Sequence, residues 1–241
     1  MKYMGNKARI ANEILNVMLQ GENKNLPFVD MFCGSCSVVE QISPDIRRFA
    51  NDKNKYLIAM WKSLVEGKKM PQTIEKDFYS DVRDCYNGKN DKYTDDIVGW
   101  VGYMGSFNGR FFDGGYSGHN VMGTNGKARN YIQENINNTL KQVDKLKGVV
   151  FTSYSYDEYP LIDKSLIYCD IPYKDTKQYH ISRNFDYEKF YEWVRAKKAE
   201  GHIVYVSEYN MPDDFQCVWS KEVTNSMNQT ITKKPVEKLF M

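Results

Sequence analysis

The chain has 241 residues, 41% hydrophobic and 27% charged, a mixture that fits one globular domain with or without an insertion and excludes collagenous, coiled-coil and wholly disordered architectures. Thirty-three Lys and Arg against thirty-one Asp and Glu leave a formal charge of +2, too balanced for a protein whose whole surface binds polyanion, so any nucleic-acid face must be local. No apolar run approaches the roughly 18 residues that span a bilayer, and the start KYMGNKARIANEI lacks the apolar core of a signal peptide, so a cytoplasmic location without a membrane partner is expected.

From the N-terminus, Ile10, Ile14, Val17 and Met18 form one apolar stripe at helical spacing within residues 8–19. The run PFVDMF, 27–32, reads as a strand that enters a tight turn of small residues, CGSCS. RRFAND, 47–52, reads as a second strand, followed by a helix carrying Tyr56, Leu57, Met60 and Leu64. Residues 99–126 break the pattern: they hold nine of the sixteen glycines together with Trp100, Tyr103, Phe107, Phe111, Phe112 and Tyr116. That composition predicts an irregular aromatic segment, whose rings either fold back on themselves or serve a ligand. Helical periodicity resumes over 129–146 through Ile132, Ile136, Leu140 and Val143. Three further apolar strands follow at 148–154, 165–170 and 202–209, with a helix capped by Asp186 and burying Phe190, Tyr191 and Val194 between the last two. Apolar strands alternating with helices predict an α/β fold with a mostly parallel sheet covered on both faces. The catalytic domain is expected over 1–61 and 129–241, split by an insertion over 62–128.

Ligands of open α/β sheets sit beyond the carboxyl ends of the strands. Three local sequences fall there. Asp30 to Cys36 closes the first strand with residues small enough for the backbone to approach a ligand, although neither GxGxxG nor a phosphate-loop ending GK[ST] is present. Asp52, after the second strand, reads either as a helix cap or as a ribose ligand. Asp170-Ile171-Pro172-Tyr173 brings a carboxylate, a stiffened backbone and an aromatic ring out of one strand end, or else forms a simple turn. Lys7 reads by default as a solvated lysine at a helix start. Five cysteines, at 33, 36, 85, 169 and 217, argue for reduced thiols. The single Cys33-x-x-Cys36 reads as a redox pair, as half of a zinc site or, by default, as small buried thiols in a turn; no second such pair exists and His119, His180 and His202 are isolated, so no metal is expected.

Taken in order, Tyr3-Met4-Gly5-Asn6-Lys7, Asp30 to Ser37, Asn51-Asp52, Asp170 to Tyr173 and the closing Glu237-Lys238-Leu239-Phe240 resemble the Dam-like (alpha group) DNA adenine N6-methyltransferases, particularly small phage-encoded ones. The resemblance implies a Rossmann-like S-adenosylmethionine-dependent methyltransferase fold, with 62–128 as an inserted target-recognition region and double-stranded DNA as partner. It also admits a restriction enzyme counterpart and leaves the oligomeric state open. By position it implies that Tyr3, Lys7, Asp30, Phe32, Gly34, Ser35, Asp52 and Asp170 meet S-adenosylmethionine, with Asp30 at its amino group and Asp52 at its ribose. Asp170, Ile171, Pro172 and Tyr173 would be the catalytic tetrapeptide. This chain has Ile171 where the family usually has a proline, and Cys36 where a glycine is expected.

The chemistry suits such residues. An adenine in a duplex must be swung out to be reached, and stacking on the Tyr173 ring, worth about 1 to 3 kcal/mol, would offset much of the unstacking cost. Asp170 and the Ile171 carbonyl would accept the two amino hydrogens and stabilise positive charge developing on nitrogen. In the insertion and at its boundary, Lys127 and Arg129 are of the type that binds phosphate, while Asn108, Arg110, His119 and Asn120 include donors that read base edges. The rivals are methylation of an RNA adenine or a protein glutamine, and a noncatalytic DNA-binding relative.

Overall fold

A computed structural model describes residues 1–119, 121, 122, 126, 128–161, 163–174, 184–223 and 235–241. The elements run α1 (Ala11–Met18), β1 (Phe28–Asp30), β2 (Arg48–Asn51), α2 (Lys55–Val65), α3 (Lys76–Tyr86) and α4 (Asp95–Gly105). There follow β3 (Val121–Met122), β4 (Ala128–Arg129), α5 (Tyr131–Val143), β5 (Val149–Thr152), β6 (Leu166–Asp170), α6 (Tyr187–Ala199), β7 (Ile203–Glu208), β8 (Cys217–Glu222) and β9 (Val236–Phe240). Seven strands form one sheet in the order β5-β2-β1-β6-β7-β9-β8, and β3 pairs with β4 in a small antiparallel ribbon. The five strands expected from the sequence are mutually parallel. The last two, β8 and β9, are antiparallel additions that the apolar pattern of the sequence does not mark.

Side-chain alternation along the strands divides the interior into two layers. Phe28, Ala50, Leu166, Tyr168, Tyr205 and Leu239 face a core built with α1, α2, α4 and α5. Val29, Met31, Ile167, Cys169, Val204, Val206 and Phe240 face α6 through Phe190, Tyr191 and Val194. Asp186 caps α6 by accepting the Lys189 amide at 3.0 Å, as its sequence pattern predicts.

Two local expectations need correction. Residues 99–105, placed in the irregular segment, are helical and belong to α4. Glycines normally weaken a helix, but here they allow close packing: a Cβ on Gly99 would lie 2.1 Å from the Tyr56 carbonyl oxygen in α2. Irregular structure begins at Ser106, and its rings do fold together, with Tyr103 and Phe111 centroids 4.8 Å apart and Phe111 and Phe112 5.1 Å apart. Residues 62–128 thus contribute α3, α4 and these rings to the same core that α2 and α5 line. Leu140, expected on the buried face of α5, is exposed. The helix is rotated so that Asn135, Thr139 and Gln142 turn inward, where each finds a hydrogen-bond partner.

Candidate active site

The strand order reverses direction at β1: its neighbours are β2 on one side and β6 on the other. Asp30 ends β1, and Asp170 ends β6 two residues beyond Tyr168, the partner of Asp30 in register. Both carboxylates therefore reach the crevice where doubly wound sheets bind ligands. Asp52, one residue past β2, closes the other flank.

Each acid has a distinct setting. Asp30 is 1% exposed, and its Oδ1 is buried without a hydrogen-bond partner. Burial, then the neighbouring Asp170 and Asp52, push its proton affinity well above the ordinary carboxylate range. Asp52 does not cap α2; Asn54 does, accepting the amides of Tyr56 and Leu57. Asp52 instead accepts the Gly34 amide at 3.1 Å and the Asn54 amide at 2.9 Å, tying the turn after β1 to the start of α2. Burial raises its pKa against the lowering effect of those bonds. Asp170 keeps a fifth of its side chain exposed and forms an ion pair with Lys7, 2.8 Å from Nζ to Oδ1. Burial outweighs that pairing, and its pKa rises to about 6, with Glu237 adding to the rise.

Lys7 reaches this point because the segment before α1 is hooked over α4 and α5. The Lys2 amide donates to Asn135 Oδ1 at 2.7 Å, Asn6 Nδ2 donates to the Met1 carbonyl, and the Tyr3 ring stacks on Tyr103 at 5.7 Å. Asn135 in turn donates to the Tyr103 carbonyl. Far from being solvated, Lys7 is 6% exposed, with Nζ 4.7 Å from the centre of the Tyr173 ring. The turn beneath Tyr3 is equally constrained. Gly34 adopts φ +45, and a Cβ there would lie 2.8 Å from the Tyr3 ring; its carbonyl accepts from Trp61 Nε1 at 3.1 Å. Ser35 is buried, and its carbonyl accepts from Gln142. Cys36, in the place where a glycine is expected, holds φ +58, a left-handed conformation that costs an ordinary residue about 1 to 2 kcal/mol. Cys33 and Cys36 are both buried thiols.

Past β6, Ile171 packs its side chain into the layer beneath α6. The Pro172 carbonyl accepts from Tyr187 Oη at 2.8 Å, and the Lys174 amide donates to Glu208 Oε2 at 3.1 Å. Tyr173 lies edge to face against Tyr209 at 4.6 Å and donates from Oη to Glu237 Oε2 at 2.5 Å. The structure thus brings Tyr3, Lys7, Asp30, Gly34, Ser35, Asp52 and the tetrapeptide to one crevice. Phe32 departs from them: its ring joins a cluster with Tyr156, Phe185 and Phe190. Sequence reasoning assigned no role to Glu208 or Glu237. Glu208 carried a usable signal, an acid ending an apolar strand, whereas Glu237 acquires its position only through the antiparallel insertion of β9.

The residues expected at DNA are more dispersed. Asn108 is exposed in the left-handed region at φ +54, beside Phe107, which is 50% exposed. Arg110 is half-buried. His119 Nε2 lies 3.0 Å from the Ile74 carbonyl. Arg129 is exposed on β4, held by Glu134 at 2.6 Å and lying 4.8 Å over the Tyr131 ring. Asn120 and Lys127 lie outside the described residues, as does His180. Among the described residues no helix is long and apolar enough to cross a membrane.

Residues 3–212 match the model of a family described as D12 class N6 adenine-specific DNA methyltransferase. Among solved structures, the chain is similar to the rRNA methyltransferase aviRa from Streptomyces viridochromogenes, with 8% identity and a TM-score of 0.40 over 97% of this chain and 83% of that one. No curated protein matches it.

Proposed function

Because the chain belongs to the D12 class N6 adenine-specific DNA methyltransferases, enzymes that methylate adenine in DNA, we propose that S-adenosylmethionine is its methyl donor and an adenine swung out of duplex DNA its acceptor. The observation that carries this reading is the convergence of Asp30, Asp52 and Asp170 with the Tyr173 ring at the sheet's switch point. S-adenosylmethionine supplies an electrophilic methyl group on a sulfonium. The residues present fit it: the unpartnered Asp30 Oδ1 suits an ammonium group, and a carboxylate at Asp52 suits ribose hydroxyls. The turn around Gly34 leaves no room for a side chain between backbone and Tyr3.

On the acceptor side, the Asp170 carboxylate and the Ile171 carbonyl accept the two N6 hydrogens, favouring a pyramidal nitrogen with a free lone pair. A preorganised carboxylate stabilises the developing positive charge better than water does. Tyr173 offers its face to the base. Lys7 holds both that face and an Asp170 oxygen in this structure, so base entry requires its ammonium to withdraw. Residues 62–128 act as the target-recognition region. Lys2 and Arg129, 4.7 and 4.8 Å from the Tyr131 ring, supply positive charge toward phosphate, and the exposed Phe107 and Asn108 lie near Lys2 and Tyr131 around one small cleft.

The direct test incubates the protein with labelled S-adenosylmethionine and, separately, unmethylated duplex DNA, RNA and protein. Label recovered as N6-methyladenine from DNA is expected. Label confined to RNA or to glutamine, or absent from all three, would overturn the proposal. The pH dependence follows from Asp170: the ionised form is required, so kcat/KM should fall about tenfold per unit below about pH 6 and level off above it.

A further inference from the structure

We propose that Glu237 is a positioning residue for methyl transfer, fixing the Tyr173 ring through its phenol oxygen and sharing Lys7 with Asp170. The inference rests on the reading of Asp170 and Tyr173 given above. Glu237 lies on β9, outside the residues that the family model matches. Its carboxylate meets two members of the crevice at once. Oε2 accepts the Tyr173 hydroxyl at 2.5 Å and stands 3.9 Å from Lys7 Nζ, while that same ammonium lies 2.8 Å from Asp170.

The effect of the first contact is geometric. The bond to Glu237 pins the phenol oxygen and so keeps the ring from swinging about χ1, while Tyr209, packed edge on, and Lys7, over its face, set the tilt of its plane. Charge-assisted hydrogen bonds of this kind are about twice as strong as neutral ones. The backbone after the ring is held from the neighbouring strand, where Glu208 accepts the Lys174 amide, and Glu208 pairs in register with Lys238. Two carboxylates on paired strands therefore bracket residues 173 and 174.

The effect of the second contact is electrostatic. The described groups that interact electrostatically with Asp170 are Lys7 and Tyr3 from the N-terminal segment, Asp30 from β1, and Tyr168 and, on the opposite face of the strand, Cys169 from β6 itself. Tyr173, Tyr209 and Glu237 complete the ring. The phenols and the thiol are held protonated by burial, and Asp30 is pushed toward its neutral form. Among the described residues, that leaves Lys7 and Glu237 as the opposed charges that set when Asp170 ionises. Glu237 divides Lys7's attention and adds a like charge, so removing its charge should make Asp170 ionise at lower pH.

The test compares Glu237→Gln, which keeps an acceptor for Tyr173 without the charge, with Glu237→Ala, which keeps neither. In ligand-free protein, the carboxyl carbon of Asp170, followed by carbon-13 NMR and assigned with Asp170→Asn, should titrate at least about half a unit lower in Glu237→Gln than in the unsubstituted protein. The acid limb of the methyl-transfer profile on duplex DNA should move the same way. Glu237→Ala should lose about tenfold more of kcat/KM for DNA than Glu237→Gln, with calorimetric affinity for S-adenosylmethionine changed less than threefold. An Asp170 midpoint that is unmoved or raised in Glu237→Gln, or equal losses in the two variants, would overturn the proposal. A lowered midpoint in a protein that labels no DNA would uphold the arrangement and sink the function assigned to the crevice.

Discussion

Asp170→Asn is expected to reduce methyl transfer by about a thousandfold while leaving the protein folded. Asparagine is the same size and can still accept one hydrogen bond. What it removes is the negative charge that stabilises the transition state, and loss of one preorganised partner of that kind costs on the order of 100- to 1000-fold in rate. Asp170 stands 2.8 Å from Lys7; of the carboxylates near it, Asp30 is buried at the end of β1 and Glu237 is bonded to the Tyr173 hydroxyl, so neither takes its place. Stability should move independently of rate. The folded-state pKa of about 6 lies above the unfolded value of 3.8, so the folded form binds more protons between these values. Its stability from this group is full below about pH 4 and is lost as pH rises through about 6. The asparagine variant lacks that loss, and its free energy of unfolding by urea, relative to the unsubstituted protein, should therefore improve between pH 4 and 7 by on the order of 3 kcal/mol. A variant that is inactive only because it fails to fold, seen by circular dichroism, would remove the chemical reading.

Gly99→Ala is expected to destabilise the protein by about 3 kcal/mol or more, although alanine on an exposed helix would stabilise by about 1 kcal/mol over glycine. The added methyl would sit 2.1 Å from the Tyr56 carbonyl and 3.1 Å from Met60 Cβ. Overpacking of a dense core usually costs 1 to 3 kcal/mol, and a contact with backbone cannot be relieved by a rotamer change. To accommodate it, α4 must lift from α2. Asn54 Nδ2 donates to Tyr103 Oη at 2.8 Å across this same contact, so the displacement would reach the turn that Asp52 and Tyr3 hold. Gly105→Ala offers the control: the atoms nearest its methyl would be side-chain atoms of Tyr79 and Ile74, from 2.8 Å, and it should cost less. Urea unfolding of the two variants measures the difference, and equal midpoints would show that α2 and α4 can separate freely.

The five parallel strands, and the carboxylates at the ends of three of them, were legible because each strand is a short apolar run ending in a polar residue. Periodicity also placed α1, α2, α5 and α6. What stayed hidden depends on partners distant in the chain. Glycines 99, 102 and 105 read as loop because their value lies in what faces them, Tyr56, Phe111 and Tyr79. Leu140 follows the apolar stripe of α5, but Asn135 and Gln142 take the inner face because backbone groups at Tyr103 and Ser35 need partners there. Lys7 offers no local sign of burial; it becomes a site residue because Lys2 and Tyr3 are docked against Asn135 and Tyr103. The strands β8 and β9 are mixed in polarity and half exposed, which obscures their pattern.

The place of β9 in the sheet bears on how the enzyme is made. It follows every other described element in the chain yet inserts between β7 and β8. A ribosome extends a chain from its N-terminus at about 5 to 20 residues per second, so the parallel strands and their three acids can assemble while synthesis continues. The strand that carries the partner of the Tyr173 hydroxyl emerges only afterwards, and β8 joins the sheet through it. A nascent chain stalled before residue 236 would then carry Asp30, Asp52 and Asp170 without the carboxylate that accepts the Tyr173 hydroxyl.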